Sequence, residues 1–241
     1  MRGPGQWELP YWPLASEMKV GLLLPTFRST ATDALEVAKK SAQSGIDGVF
    51  AYDHLWPMGS PERPALAPFP LLARVASEQP TLTVAPLVAR VGLFGTEHLV
   101  SLFRSLHTVA PGRVIGALGT GDRLSEAENV AYGIENKPAD ERRQMMAETA
   151  QLLRGDMPIW IGAGAERTND LARSLGAELN FWNIEATQLK SHAAEGPVNW
   201  AGNARADLAV QLDELCDAGA TWAVFSPGTD ISALKEWRER S

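Results

Sequence analysis

Residues 158–182, PIWIGAGAERTNDLARSLGAELNFW, narrow the folds open to this chain more than any other stretch. The apolar run at 158–162 has the length and composition of a strand buried on both faces, as strands of parallel sheets are. It runs into the small-residue turn Gly162-Ala163-Gly164-Ala165, after which a helix is expected over 167–175. Leu171, Ala172 and Leu175 share one face of that helix, and Gly176 supplies its C-terminal stop. A second apolar run starts at Glu178, which completes a βαβ unit with two parallel strands. The turn presents free N–H groups at a helix start, which suits a phosphate or another anion; glycines there equally serve a tight bend. The dinucleotide fingerprint G-x-G-x-x-G fails at Arg167, and after Gly119-Thr120-Gly121 it fails at Leu124.

The same alternation runs through the chain. Strands are expected at 18–24, 48–52, 82–88, 113–118, 158–162, 178–182, 197–201 and 221–225. Helices are expected at 33–44, near 71–77, and at 97–109, 140–154, 167–175, 206–218 and 231–238. Asp33, three residues before Glu36, marks the start of the first helix and Gly45 its end. Eight such units at roughly 28 residues each predict a compact (β/α)₈ TIM barrel over residues 18–241. The rival, an open doubly wound sheet, needs a strand-order switch and a nucleotide fingerprint, and neither is present. Residues 1–17, with three prolines and two tryptophans, read as an N-terminal extension outside the barrel. Functional residues of a barrel sit where strands end, which selects Tyr52, Asp53, His54, Pro86, Leu87, Thr120, Gly121, Asp122, the 162–167 turn, Trp182 and Asn183.

Composition excludes several partners. A net charge of −7 with no basic stripe argues against nucleic acid and leaves small molecules as the expected substrates. No run approaches the eighteen or so apolar residues of a membrane helix, and residues 1–17 lack the apolar centre of a secretion signal. The single cysteine, Cys216, cannot form an internal disulfide; it lies among apolar helix positions and is expected in the core. A cytoplasmic protein without a metal site is the expectation.

Four blocks in order, GIDGVFAYDHLW, LTVAPLVARVGLFGTEHLVSLF, APGRVIGALGTGDRLSEAENVAYGI and PIWIGAGAERTNDLARSLGAELNFW, resemble the bacterial luciferase-like superfamily of flavin- or deazaflavin-dependent oxidoreductases. The resemblance spans nearly all of the chain from Met18. The GTGDRLSEAEN form is most similar to the branch that uses coenzyme F420, with FMN as the alternative. It implies an oxidoreductase that transfers a hydride to a small organic substrate, or monooxygenates it, with the cofactor ring in the barrel mouth. It implies a cofactor phosphate at the Gly162, Ala163 and Gly164 amides, with Arg167 or Thr168 meeting the charge. His54 would contact the cofactor or donate a proton, with Asp53 beside it, and Asp122 would act as an acid next to Thr120 and Gly121. Structurally, Asp122 is also a good helix N-cap.

Three departures accompany the resemblance. Relatives carry a non-prolyl cis peptide where Pro86-Leu87 stands, and here Ala85–Pro86 is expected to supply the bulge at lower cost. Arg154 is almost joined to Pro158, where relatives insert tens of residues, so the barrel lacks the usual insertion and its mouth is expected to be open. Relatives often read Asp-Gly-Trp where this chain has Leu-Asn-Phe-Trp, which weakens the carry-over to Asn180 and Trp182. A shortened flavin-binding or structural relative without turnover is the alternative reading. The oligomeric state stays open, with a homodimer among the options.

Overall fold

The computed structural model describes residues 18–121 and 125–240. Nine strands are present: β1 Lys19–Leu23, β2 Gly48–Ala51, β3 Thr83–Pro86, β4 Ala89–Arg90, β5 Gly116–Gly119, β6 Ile159–Gly162, β7 Glu178–Trp182, β8 Val198–Gly202 and β9 Ala220–Phe225. The helices are α1 Thr32–Gln43, α2 Pro68–Glu78, α3 Thr96–Val109, α4 Glu126–Ala131, α5 Ala139–Leu153, α6 Glu166–Ser174, α7 Ala186–Ala193, α8 Leu208–Asp217 and α9 Ile231–Arg238. All strand pairs are parallel, in the order β3-β2-β1-β9-β8-β7-β6-β5-β4.

The two ends of that order belong to one stave. β3 pairs with β2, β4 pairs with β5, and Leu87 and Val88 alone separate the two pieces. Val84 of β3 also bridges in parallel to Val114, just before β5. The sheet therefore curls into a barrel of eight staves, as the alternation of strand and helix predicts. The cis peptide bond is Leu87–Val88, a non-prolyl bond, so the expectation of a cis Ala85–Pro86 is corrected.

Alternating residues along each strand face the helices or the barrel interior. The outward set, including Val20, Leu22, Val49, Val84, Leu179 and Phe225, packs under the helices. The inward set is separate: Leu23, Phe50, Ala85, Leu87, Ile115, Ala117, Trp160, Ala201, Trp222 and Val224. Three aromatic rings fill its centre. Phe50 stacks on Trp160 at 5.5 Å, and Trp222 meets both rings edge-on at 5.6 Å. Small residues on neighbouring staves make the room: a Cβ on Gly21 would lie 2.5 Å from the Phe50 ring, and one on Gly48 would lie 3.1 Å from Trp222. At the amino ends of the strands, buried Glu178 accepts from Asn199 at 2.8 Å and from the Thr221 hydroxyl, and Asn180 donates to Asn199 at 2.5 Å.

Two helices lie outside the expected set. α7 opens on a capping box in which the Glu185 side chain accepts from the third helical amide and Gln188 reaches back to the Glu185 amide; a glutamate is not a usual cap residue, so its sequence signal is weak. α4 starts at Glu126 with Ser125 as its N-cap. At α1 the N-cap is Ala31, with no side-chain cap, and Asp33 pairs with Arg28 instead of capping. Cys216 is exposed, which corrects its expected place in the core: α8 buries Leu208, Gln211, Leu212 and Leu215, and residue 216 falls outside that stripe. Among the described residues no helix is long and apolar enough to cross a membrane.

Candidate active site at the barrel mouth

The carboxyl ends of β2, β4 and β5 and the short helix α4 converge on a buried polar network. Asp53 and His54 follow β2, and Arg90 ends β4. Arg90 donates its amide to the Asp53 carboxyl at 2.8 Å, its Nε to the Asp53 carbonyl at 2.8 Å, and its Nη2 to Glu128 Oε2 at 2.8 Å. Glu128, on α4, accepts from the Leu55 amide at 2.9 Å through the same oxygen and pairs through Oε1 with His54 Nδ1 at 2.8 Å. The guanidinium thus pairs with one carboxylate, Glu128, and with the Asp53 carbonyl, while the Asp53 carboxyl is held by the Arg90 amide; Arg90, Asp53 and Glu128 are all buried. Burial pushes the Asp53 carboxyl above the usual carboxylate range; the Arg90 amide and charge pull it down, and Glu128 pushes it up again. Removing one member of such a buried pair leaves an uncompensated charge, at a cost of about 3–5 kcal/mol.

His54 is the member that reaches the surface, with a quarter of its side chain exposed. Around it stand aromatic rings. Phe27 stacks on Tyr52 at 5.3 Å, and His54 lies tilted at 6.4–6.5 Å from both. Trp182, 47% exposed at the end of β7, meets Tyr52 edge-on at 6.2 Å. Burial raises the Tyr52 phenol above its ordinary pKa, opposed by a hydrogen bond with Ser226.

The glycine turn is placed beside this mouth, at the end of β6. The Ala163 amide donates to Asn180 O at 2.8 Å and the Gly164 amide to Asn169 Oδ1 at 3.0 Å, so both already have acceptors. Among the described residues the Ala165, Glu166 and Arg167 amides have none, and these open α6 with the positive end of its dipole. Gly162 faces inward, where a Cβ would lie 3.3 Å from Val88, while space around Gly164 is open. Thr168 is buried; Arg167 is 80% exposed and lies 3.9 Å from Asp140.

Of the other expected site residues, Pro86 pairs in register with Ala51, and Leu87 turns into the inward apolar set. Thr120 and Gly121 follow β5, with their carbonyls held by Arg142 Nη1 at 2.6 and 3.1 Å; Gly121 has φ of +68°, which favours glycine. Asp122 lies outside the described residues. Sequence reasoning did not single out Arg90 or Glu128. Both stand inside the blocks that carry the resemblance, but Arg90 is a single charge ending an apolar run and Glu128 is one of several charges in a polar stretch.

A family model described as luciferase-like monooxygenase matches residues 18–157, more than half of the chain. This chain belongs to the luciferase-like monooxygenase family. No curated protein sequence matches it. Its barrel is similar to that of an F420-dependent secondary alcohol dehydrogenase in complex with an F420-acetone adduct, with a TM-score of 0.75 and 12% identity over 92% of this chain and 98% of that one. It is also similar to the coenzyme F420 dependent tetrahydromethanopterin reductase from Methanopyrus kandleri and to the monooxygenase RslO1 from Streptomyces bottropensis. Each has a TM-score of 0.70 and 11% identity over 92% of this chain and 97% of the relative. At such identities the likeness is one of fold.

Proposed function

We propose that this luciferase-like protein is an oxidoreductase that binds F420, or FMN as the alternative, at the barrel mouth and acts there on a small organic substrate. The observation that carries the reading is the joint placement, on one rim, of a half-exposed flat aromatic, an anchored histidine and a helix start with unpartnered amides. These residues fit such a group. Trp182 offers a stacking face, and the Ala165, Glu166 and Arg167 amides with the Arg167 side chain suit its phosphate. The open space at Gly164 lets a ligand approach the backbone. When bound, the cofactor supplies hydride transfer or, as reduced flavin, oxygen chemistry. The chain's own part is to hold the cofactor, to orient the substrate against it, and to accept or return a proton at His54.

Two relatives named for F420 and one named as a monooxygenase support both arms of this reading. Separate titrations with F420 and FMN, read by absorbance and by quenching of fluorescence, test it. Saturable binding of one of them, weakened in His54→Ala with the fold retained, is the expected result. No binding of either at high micromolar concentration overturns the proposal and favours a barrel without turnover.

A further inference from the structure

The contacts of Glu128 reach beyond burying a charge, because they fix which nitrogen of His54 carries a proton. Its two carboxylate oxygens have different duties. Oε2 accepts from two fixed donors, the Leu55 amide at 2.9 Å and Arg90 Nη2 at 2.8 Å. Neither donor has an alternative role: one is backbone, and the other belongs to a guanidinium whose Nε is already committed to the Asp53 carbonyl. Oε1 faces His54 Nδ1 at 2.8 Å. A carboxylate has no proton to give, so the neutral imidazole satisfies this contact only with its hydrogen on Nδ1. Nε2 is then bare, on a ring that is a quarter exposed and lies 6.4 Å from Tyr52 at the barrel mouth.

We propose that Glu128, held by Arg90, is a positioning residue that locks neutral His54 in the Nδ1–H tautomer and so presents Nε2 to the mouth as a proton acceptor. The inference rests on the proposed function for the use made of that nitrogen, though the tautomer itself does not depend on it. A substrate or cofactor group that meets neutral His54 therefore brings a hydroxyl or N–H donor to Nε2. If its proton moves, it moves to Nε2, and the resulting imidazolium keeps its Nδ1–H on the Glu128 carboxylate. Asp53, adjacent to His54 in sequence, is not the orienting acid: its carboxyl accepts from the Arg90 amide, and the imidazole's Nδ1 is taken by Glu128.

The closing experiment compares the cofactor-free full chain with its Glu128→Gln variant by ¹⁵N NMR of the histidine ring nitrogens at a pH where His54 is neutral. In the variant the amide oxygen has to remain at the Oε2 position, where two donors wait, which places the –NH₂ group against Nδ1. An almost isosteric change thereby inverts the tautomer. The expected result is a bare Nε2 in the native protein and a bare Nδ1 in the variant, together with at least a tenfold loss of turnover in Glu128→Gln once a cofactor and substrate are in hand. A native His54 with its proton on Nε2 overturns the inference without any variant, which covers the case in which Glu128→Gln does not fold. The same tautomer in both proteins also overturns it. Failure to bind F420 or FMN, with the tautomers as expected, counts against the proposed function and leaves the positioning role standing.

Discussion

Tyr52 and Trp182 sit on staves four apart in a barrel of eight, as far apart around the ring as two strands can be, yet their rings meet at 6.2 Å. The two side chains therefore span the mouth across its diameter. Below them the interior is packed with Phe50, Trp160 and Trp222. A flat ligand that used this mouth would lie on or beside this pair, above the packed interior.

The cross-mouth contact is measurable. A double-mutant cycle of Tyr52→Leu and Trp182→Leu, followed by chemical denaturation, is expected to give a coupling of about 0.5–1.5 kcal/mol, the scale of an aromatic pair. The Trp182 single change costs less than the Tyr52 one, because Trp182 is half exposed and Tyr52 is mostly buried. A coupling near zero would show that the rings do not meet in solution.

Gly119 and Gly164 make opposite demands. A Cβ on Gly119 would run into the Val88 side chain, whereas one on Gly164 meets nothing. Gly119→Ala is expected to destabilise by about 1–3 kcal/mol, an overpacking cost, with part of the loss restored by Val88→Ala in the same chain. Gly164→Ala leaves the thermal midpoint essentially unchanged. Equal losses at the two positions would contradict the packing described here.

Because Gly164→Ala spares the fold, a loss of ligand affinity in that variant reports on the ligand. With Arg167→Ala it is expected to weaken FMN roughly tenfold, the scale of one charge-assisted hydrogen bond. Riboflavin, which lacks the phosphate, should lose much less. The same drop for both ligands would move the phosphate away from the start of α6.

Glu178 predicts a pH dependence of stability. Burial raises its carboxyl above the ordinary value, against the lowering effects of Thr221, Asn199, Trp160 and Lys19. A carboxyl raised in the folded state binds its proton more tightly there, so its contribution to stability is complete at low pH. That contribution is lost as pH climbs from the unfolded value, about 4.3, through the folded one. Measured against Glu178→Gln, which cannot ionise, the native protein should lose relative stability across that window and then level off. A difference that stays constant with pH would show that Glu178 titrates normally.

The architecture was legible where periodicity was strong. The strands at 158–162 and 178–182 and the helix at 231–238 fall within a residue of their observed bounds, since buried runs and glycine stops leave little freedom. α7 was not legible: its eight residues, ATQLKSHA, bury Leu189 alone and begin on a glutamate cap, so no apolar stripe announces it. At the site, sequence reasoning led to His54 and Asp53 because they end a strand together. It passed over Arg90 and Glu128, whose importance arises from contacts across 37 to 74 positions of chain. Neighbours on an extended backbone point in opposite directions, which already argues against Asp53 as the partner of His54, and the fold supplies Glu128 instead.

The aromatic fill of Phe50, Trp160 and Trp222 makes the barrel a cup with one door. If a cofactor and a substrate were to lie one above the other in this mouth, they would share that door, and the deeper one would have to arrive first and depart last. Steady-state kinetics would then show a compulsory order of binding and release, with the outer ligand trapping the inner one as its concentration rises.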